Sequence, residues 1–233
     1  MRKLISAWLI FLLVFTKMIG SAYGSSSDCG TAPQIIIVPG YKASPEDHWF
    51  PWLAMELSAR NICSRVLNMP SPGQPKLSDW IDTLEKAAAR PNSDLFIVAH
   101  SLGAHAVLHW LSDLPKDSKL GGVVLVSPFL NELPALPELD PVIRRPQKLR
   151  LVELPTDRLS VIAASDDYLV PSAMSEDVAH LLKAEFIRMN QGGHFLGSDG
   201  FSRFPTALDA LLRLVSKKDY SNRDEPRTSD TQA

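Results

Sequence analysis

The sequence is poor in most of what would mark a metal or nucleic-acid protein. Its 233 residues include two cysteines, Cys29 and Cys63. That is too few for a structural zinc site or for a disulfide scaffold that could stand in for a core. Neither sign of charge dominates: 24 Lys and Arg face 26 Asp and Glu, a formal net charge of −2. No stretch concentrates basic residues among aromatics, which argues against a nucleic-acid partner. There is no internal repeat and no low-complexity segment. Nor is there a run of the ~20 apolar residues that a membrane-spanning helix requires.

What is present is apolar residue enough, 45% of the chain, to bury one good core in a single domain. The first 24 residues stand apart. Arg2 and Lys3 precede an apolar stretch from Leu4 to Phe15, and Ser21-Ala22-Tyr23-Gly24 offers small residues where a signal peptidase reads. The expectation is a signal peptide over 1–24, cleaved after Gly24, and an exported product, periplasmic or secreted, with no stable membrane span once it is removed. An uncleaved anchor is the alternative. Residues 25–216 form the expected domain, and the polar segment 217–233 reads as a disordered tail. In an exported chain an even cysteine count favours a disulfide, Cys29 with Cys63. Cys29 lies just before the first predicted strand and Cys63 just before the second. If these strands are parallel neighbours, both thiols sit at one sheet edge; two unrelated thiols remain the other reading.

Short apolar runs predict strands at 34–38, 65–69, 95–98, 122–126, 160–164 and 185–189. Helical spacing fills the gaps at 49–60, 78–90 with Ser78 as its cap, 102 to near Pro115, 173–183 and 205–215. Strands alternating with amphipathic helices predict a mostly parallel sheet covered on both faces. Between Phe129 and Thr156 the chain is dense in proline and leucine without clean period, as in a lid or a binding loop.

The most informative stretch is Asp94 to Ala106, DLFIVAHSLGAHA. A buried strand gives way at Ser101 to a helix starting at Leu102, with small residues at Ala99 and Gly103. That is the build of a nucleophile elbow, with Ala99 standing where the usual pattern G-x-S-x-G has its first glycine. Ser101, Asp167 and His194 each follow a predicted strand, at the carboxyl end where active residues of such sheets gather. Their chain order, Ser then Asp then His, is that of the α/β-hydrolases.

The A-H-S-L-G elbow, the segment Ser165-Asp166-Asp167-Tyr168-Leu169-Val170-Pro171 and the Gly192-Gly193-His194 turn together resemble the small α/β-hydrolases related to retinoblastoma-binding protein 9, a serine hydrolase group. Val38-Pro39-Gly40, Asp47-His48-Trp49 and Trp52-Leu53 resemble that group's first loop and helix. The likeness spans roughly Gln34 to Leu214. It implies an α/β-hydrolase fold with a small cap or none, and carboxylesterase-type activity on small substrates. A signal peptide departs from the intracellular members of the group.

Ser101 is the candidate nucleophile and His194 the general base. Asp167 would orient the imidazole. It is preferred to Asp166 because the spacing Asp-x-x-Val-Pro, which the resemblance carries, counts from Asp167; Asp166 is expected to bind the backbone of its own turn. The backbone N–H groups of Leu102 and Tyr41 would form the oxyanion hole. His100 and His48 are candidate substrate contacts, His100 being equally well a filler of the elbow and His48 a helix-start residue. His105 and His109, four apart on the elbow helix, lack a third ligand and read as packing or surface residues. The expected partner is a small-molecule acyl substrate, and no metal or organic cofactor is required. The rival from another class is a binding protein that keeps the fold without turnover.

Overall fold

The computed structural model describes residues 33–144, 149–151 and 154–221. All of them belong to one compact unit, residues 31–233. The expected signal peptide and Cys29 lie outside the described residues, as does the tail beyond Ser221. Among the described residues no helix is long and apolar enough to cross a membrane.

Six strands, β1 (Gln34–Val38), β2 (Cys63–Val66), β3 (Leu95–His100), β4 (Gly122–Val126), β5 (Leu159–Ala164) and β6 (Glu185–Met189), form one sheet in the order β2-β1-β3-β4-β5-β6. Every neighbouring pair is parallel. Among the described residues six α-helices accompany them, five between strands and the last after β6: α1 (Phe50–Ser58), α2 (Leu77–Ala87), α3 (Leu102–Asp113), the short α4 (Asp140–Ile143), α5 (Ser172–Leu182) and α6 (Pro205–Ser221). The reversal of strand order at β1 and β3 makes a crevice between their carboxyl ends.

Strand alternation sorts the core into two layers. Ile36, Val38, Ile97, Ala99, Val123 and Leu125 face a cluster that includes Trp80 of α2 and Trp110 of α3. Ile35, Ile37, Phe96, Val98, Val124 and Val126 face the other, with Leu53 of α1 and Leu211 of α6. Both faces of the central strands are buried, so these strands read as continuous apolar runs. Each tryptophan or phenylalanine sealed in this core contributes ~2–3 kcal/mol through apolar area removed from water.

Several boundaries differ from those predicted. β2 starts at Cys63 and ends at Val66, where the sequence suggested 65–69. Leu67 and Met69 are buried and satisfy the apolar pattern, yet Pro70 follows and only the Leu67 N–H still donates to the ladder, to Ile37 O at 2.9 Å. Ser78 does not cap α2: the cap position is Lys76, and Ser78 Oγ donates to Asp79 within the first turn. α6 continues to Ser221, into the segment expected to be a tail, because neither glycine nor proline interrupts it there. The segment 129–156 carries a 3₁₀ turn, Pro137–Leu139, and then α4. Its Leu133, Leu139, Ile143 and Leu151 join the α2/α3/α5 layer, which ties it to the body of the domain.

Candidate active site

The elbow forms because β3 must turn into α3 within one residue. Ser101 makes that turn at φ 54°, ψ −121°, a conformation that costs a non-glycine residue ~1–3 kcal/mol and persists only when its surroundings impose it. They do so here. The Ser101 N–H donates to Val126 O at 2.8 Å, and the Ser101 carbonyl accepts from Ala104 and His105 N–H. α3 then passes so close to the end of β1 that a Cβ at Gly103 would lie 2.4 Å from Pro39 O and 2.7 Å from Val38 O. Glycine is therefore obligatory at that position. Ala99 differs: its methyl is fully buried in the α2/α3 layer, so the elbow accommodates a side chain where the usual pattern has glycine.

Ser101, Asp167 and His194 come together at the carboxyl edge of the sheet. His194 Nε2 lies 2.9 Å from Ser101 Oγ, and His194 Nδ1 lies 2.9 Å from Asp167 Oδ2 and 3.1 Å from Oδ1. A carboxylate can only accept here, so Nδ1 carries the ring proton and Nε2 accepts from the serine hydroxyl. All three side chains are buried. Asp167 is in turn held by the Leu169 and Val170 N–H groups on Oδ1, at 3.0 and 2.9 Å, and by the Ser127 hydroxyl on Oδ2, at 2.8 Å. Such an array can take a proton from Ser101 as it attacks an electrophilic carbon and return it to a leaving group.

The loop that carries His194 is clamped by two further acids. Asp166 Oδ1 accepts from Gly192 and Gly193 N–H at 2.8 and 2.9 Å. Asp199 Oδ2 accepts from His194 and Leu196 N–H at 2.9 and 3.1 Å, while Tyr168 OH donates to Asp199 Oδ1. Burial and this bond to Asp199 raise the Tyr168 pKa. Asp166 thus departs from expectation: it binds the histidine loop, which follows the neighbouring strand β6, and the Ala164 carbonyl turn that holds Asp167 does not use it. Asp199 and Ser127 were not singled out from the sequence. Ser127 could have been, since it is the polar residue that ends buried β4 at the same edge.

His100 sits behind the relay. Its Nε2 lies 2.9 Å from the His194 carbonyl, so that nitrogen donates, and its Nδ1 is buried without a partner among the described residues. Burial, reinforced by nearby His194, pushes the His100 pKa well below the usual 6.5 and keeps the ring neutral. His48 is half-buried at φ 55°, and its Nδ1 accepts from Gly197 N–H at 2.9 Å. A cavity of about 250 Å³ opens onto Ser101 and His194; His48, His100, Tyr41 and Leu136 share its wall. Leu136 makes the irregular segment 129–156 part of that wall. As first residue of α3, Leu102 has an N–H with no partner inside the helix, and Gly40, just before Tyr41, comes so near that a Cβ there would lie 3.1 Å from Ser101 Cβ.

The remaining sequence candidates do not join the site. His105 and His109 are both buried, with rings 4.7 Å apart, and His105 Nδ1 meets Phe129 O at 3.1 Å. Packing is thus their setting, and no group of side chains fit to hold a metal occurs among the described residues. Trp49, Trp80 and Trp110 are core. Cys63, the one cysteine among the described residues, opens β2 and is not free.

Known proteins share this arrangement of chain. Residues 35–213 match the profile of the family described as serine hydrolase. YdeN of Bacillus subtilis (strain 168) is 40% identical over 186 residues, covering 79% of this chain and 97% of that protein. The crystal structure of the B. subtilis ydeN product superposes with a TM-score of 0.76 at 38% identity, over 79% of this chain and 100% of that one. Mouse alpha/beta hydrolase domain-containing protein 10 shares the fold alone, at 14% identity and a TM-score of 0.57, over 82% of this chain and 90% of that one. An elbow serine at the crevice of a parallel sheet, a histidine and an acid closing on it, and relatives that match nearly the whole domain lead to one assignment: the chain belongs to the serine hydrolase family and has the α/β-hydrolase fold.

Proposed function

We propose that this protein is an exported carboxylesterase-like serine hydrolase that cleaves small esters, or related acyl bonds, through an acyl-enzyme at Ser101. The observation that carries the reading is the unbroken relay from Ser101 Oγ through His194 to Asp167, with contacts of 2.9 Å at each end. Ser101 attacks the acyl carbon as its proton passes to His194 Nε2, and the imidazolium then returns that proton to the departing alkoxide. Water repeats the sequence in reverse and releases the acid. Acid–base transfer of this kind contributes ~10²- to 10⁴-fold. The Leu102 and Tyr41 N–H groups are the proposed oxyanion donors, on the grounds given above, and they act on the charge that develops in the transition state.

The cavity supports a small substrate, its 250 Å³ falling below the ~300–1,000 Å³ of most small-molecule sites. The resemblance to the group related to retinoblastoma-binding protein 9 supports the same chemistry. Export rests on the sequence of residues 1–24. A disulfide between Cys29 and Cys63 belongs to the same proposal: Cys63 is not free, and an exported chain with two cysteines favours pairing them.

The test is labelling of the mature protein with a fluorophosphonate probe beside Ser101→Ala and His194→Ala, followed by turnover of p-nitrophenyl esters of rising chain length. Labelling lost in both variants, with fastest turnover of short acyl chains, is the expected outcome. A wild type that neither labels nor turns over would leave a binding protein as the better reading.

A further inference from the structure

His48 belongs to no part of the proton relay, yet it is held with more care than a surface residue needs. Its backbone sits in the left-handed region at φ 55° without being glycine, a strain that the surrounding structure must impose. Its ring is fixed by a backbone group. A peptide N–H can only donate, so the 2.9 Å contact from Gly197 N to Nδ1 makes Nδ1 the acceptor and leaves the ring proton on Nε2. Gly197 is not among the residues that wall the cavity, whereas His48 is. Nδ1 is thus occupied by a group outside the cavity wall, and Nε2–H is the ring donor that remains on a residue of that wall. Among the described residues nothing accepts from Nε2–H. Burial also lowers the His48 pKa, with nearby His194 adding to the effect against Asp47 and Asp199, so above the usual histidine range the ring is a neutral donor.

Resting on the serine hydrolase reading, we propose that His48 is a specificity-determining donor, and that the preferred substrates are small esters carrying an ether or carbonyl oxygen in place of a methylene near the scissile bond. Leu136, Leu169 and Leu196 supply the apolar part of the cavity wall, which Tyr41 and Lys42 share, the Lys42 ammonium lying over the Tyr41 ring. A purely alkyl ester filling it would strip water from the Nε2–H without replacing the hydrogen bond, and an oxygen at that point would replace it. Discrimination of about 5- to 100-fold follows from the usual cost of one unpaired buried donor.

Two isosteric pairs read this out: p-nitrophenyl methoxyacetate against p-nitrophenyl butyrate for the acyl side, and 2-methoxyethyl acetate against butyl acetate for the alcohol side. Each kcat/KM is divided by the hydroxide rate of the same ester, in the wild type, His48→Phe and His48→Asn. The expected result is a preference of about 5- to 100-fold for the oxygen-bearing partner of at least one pair, expressed mainly in KM. It should vanish in His48→Phe and return in part in His48→Asn, which keeps an acceptor for Gly197 and a donor for substrate. A wild type that labels with fluorophosphonate and turns over both pairs without preference overturns this proposal alone, with no variant required. A preference that survives in a folded His48→Phe also overturns it. Failure of the wild type to label overturns the hydrolase reading and this one with it.

Discussion

Adding one methyl group at Gly103 should damage both the fold and the proposed chemistry. A Cβ there would stand 2.4 Å from Pro39 O and 2.7 Å from Val38 O, and ~3.3 Å is an ordinary close carbon–oxygen approach. Helix α3 or the end of β1 must therefore give way by on the order of 1 Å. Both atoms are backbone, so no side-chain rotation relieves the clash. Overpacking of this kind costs ~1–3 kcal/mol, which for a domain of this size lowers the melting midpoint by ~2–12 °C. The displaced segment, Pro39-Gly40-Tyr41, carries one of the two proposed oxyanion donors. A misplacement of ~1 Å there can lower kcat about 10²-fold. Thermal unfolding and p-nitrophenyl acetate turnover of Gly103→Ala measure the two effects together. A variant that melts and turns over like the wild type would refute the close approach of α3 to β1 and the placement of the oxyanion loop drawn from it.

Other expectations follow from the same geometry. Asp199→Ala leaves the His194 and Leu196 N–H groups without their acceptor; kcat should fall by about 10- to 100-fold at similar KM, and Asp199→Asn, which keeps an oxygen there, should recover most of it. Equal losses in the two variants would show that the charge of Asp199, and not its hold on the loop, is what matters. Burial keeps His100 neutral in the fold, while the unfolded chain takes up a proton below the usual value of 6.5. Stability from this group is therefore full above that pH and is lost as pH falls, by at most ~1.4 kcal/mol per pH unit, with His48 acting in the same direction. Urea unfolding between pH 7 and pH 5 should show a shallower slope for His100→Gln than for the wild type; identical slopes would refute the buried neutral ring.

Much of this was legible along the chain because it depends on local pattern. The apolar runs of β1 and β4 give their limits to the residue, since both faces of these strands are buried and turn residues bound them. β2 was less readable. Its residues are half-buried at the sheet edge, and the apolar Leu67 and Met69 that mark the segment pack beyond the ladder. The sequence order of Ser101, Asp167 and His194 pointed to a relay because parallel sheets gather loop residues at one edge.

The acids posed a harder question. Asp166 and Asp167 are neighbours of one chemical type, and no local rule says which faces the histidine. Folding settles it through the turn after β5, which points Asp167 at His194 and sends Asp166 to the Gly192 and Gly193 N–H groups. Asp199 and Ser127 escaped notice for a related reason. Each acts on a partner supplied by a different loop, and nothing in their immediate sequence announces it.

By itself, then, the sequence determined the parallel sheet, the elbow and the candidate nucleophile and base, and offered two neighbouring acids, because strand and helix periodicity and the small residue at 103 are local requirements. Tertiary structure decided which carboxylate faces His194, which backbone groups hold its loop, and which nitrogen of His48 and of His100 carries the proton. Those outcomes depend on distances between segments far apart in the chain, and only the packed fold sets such distances.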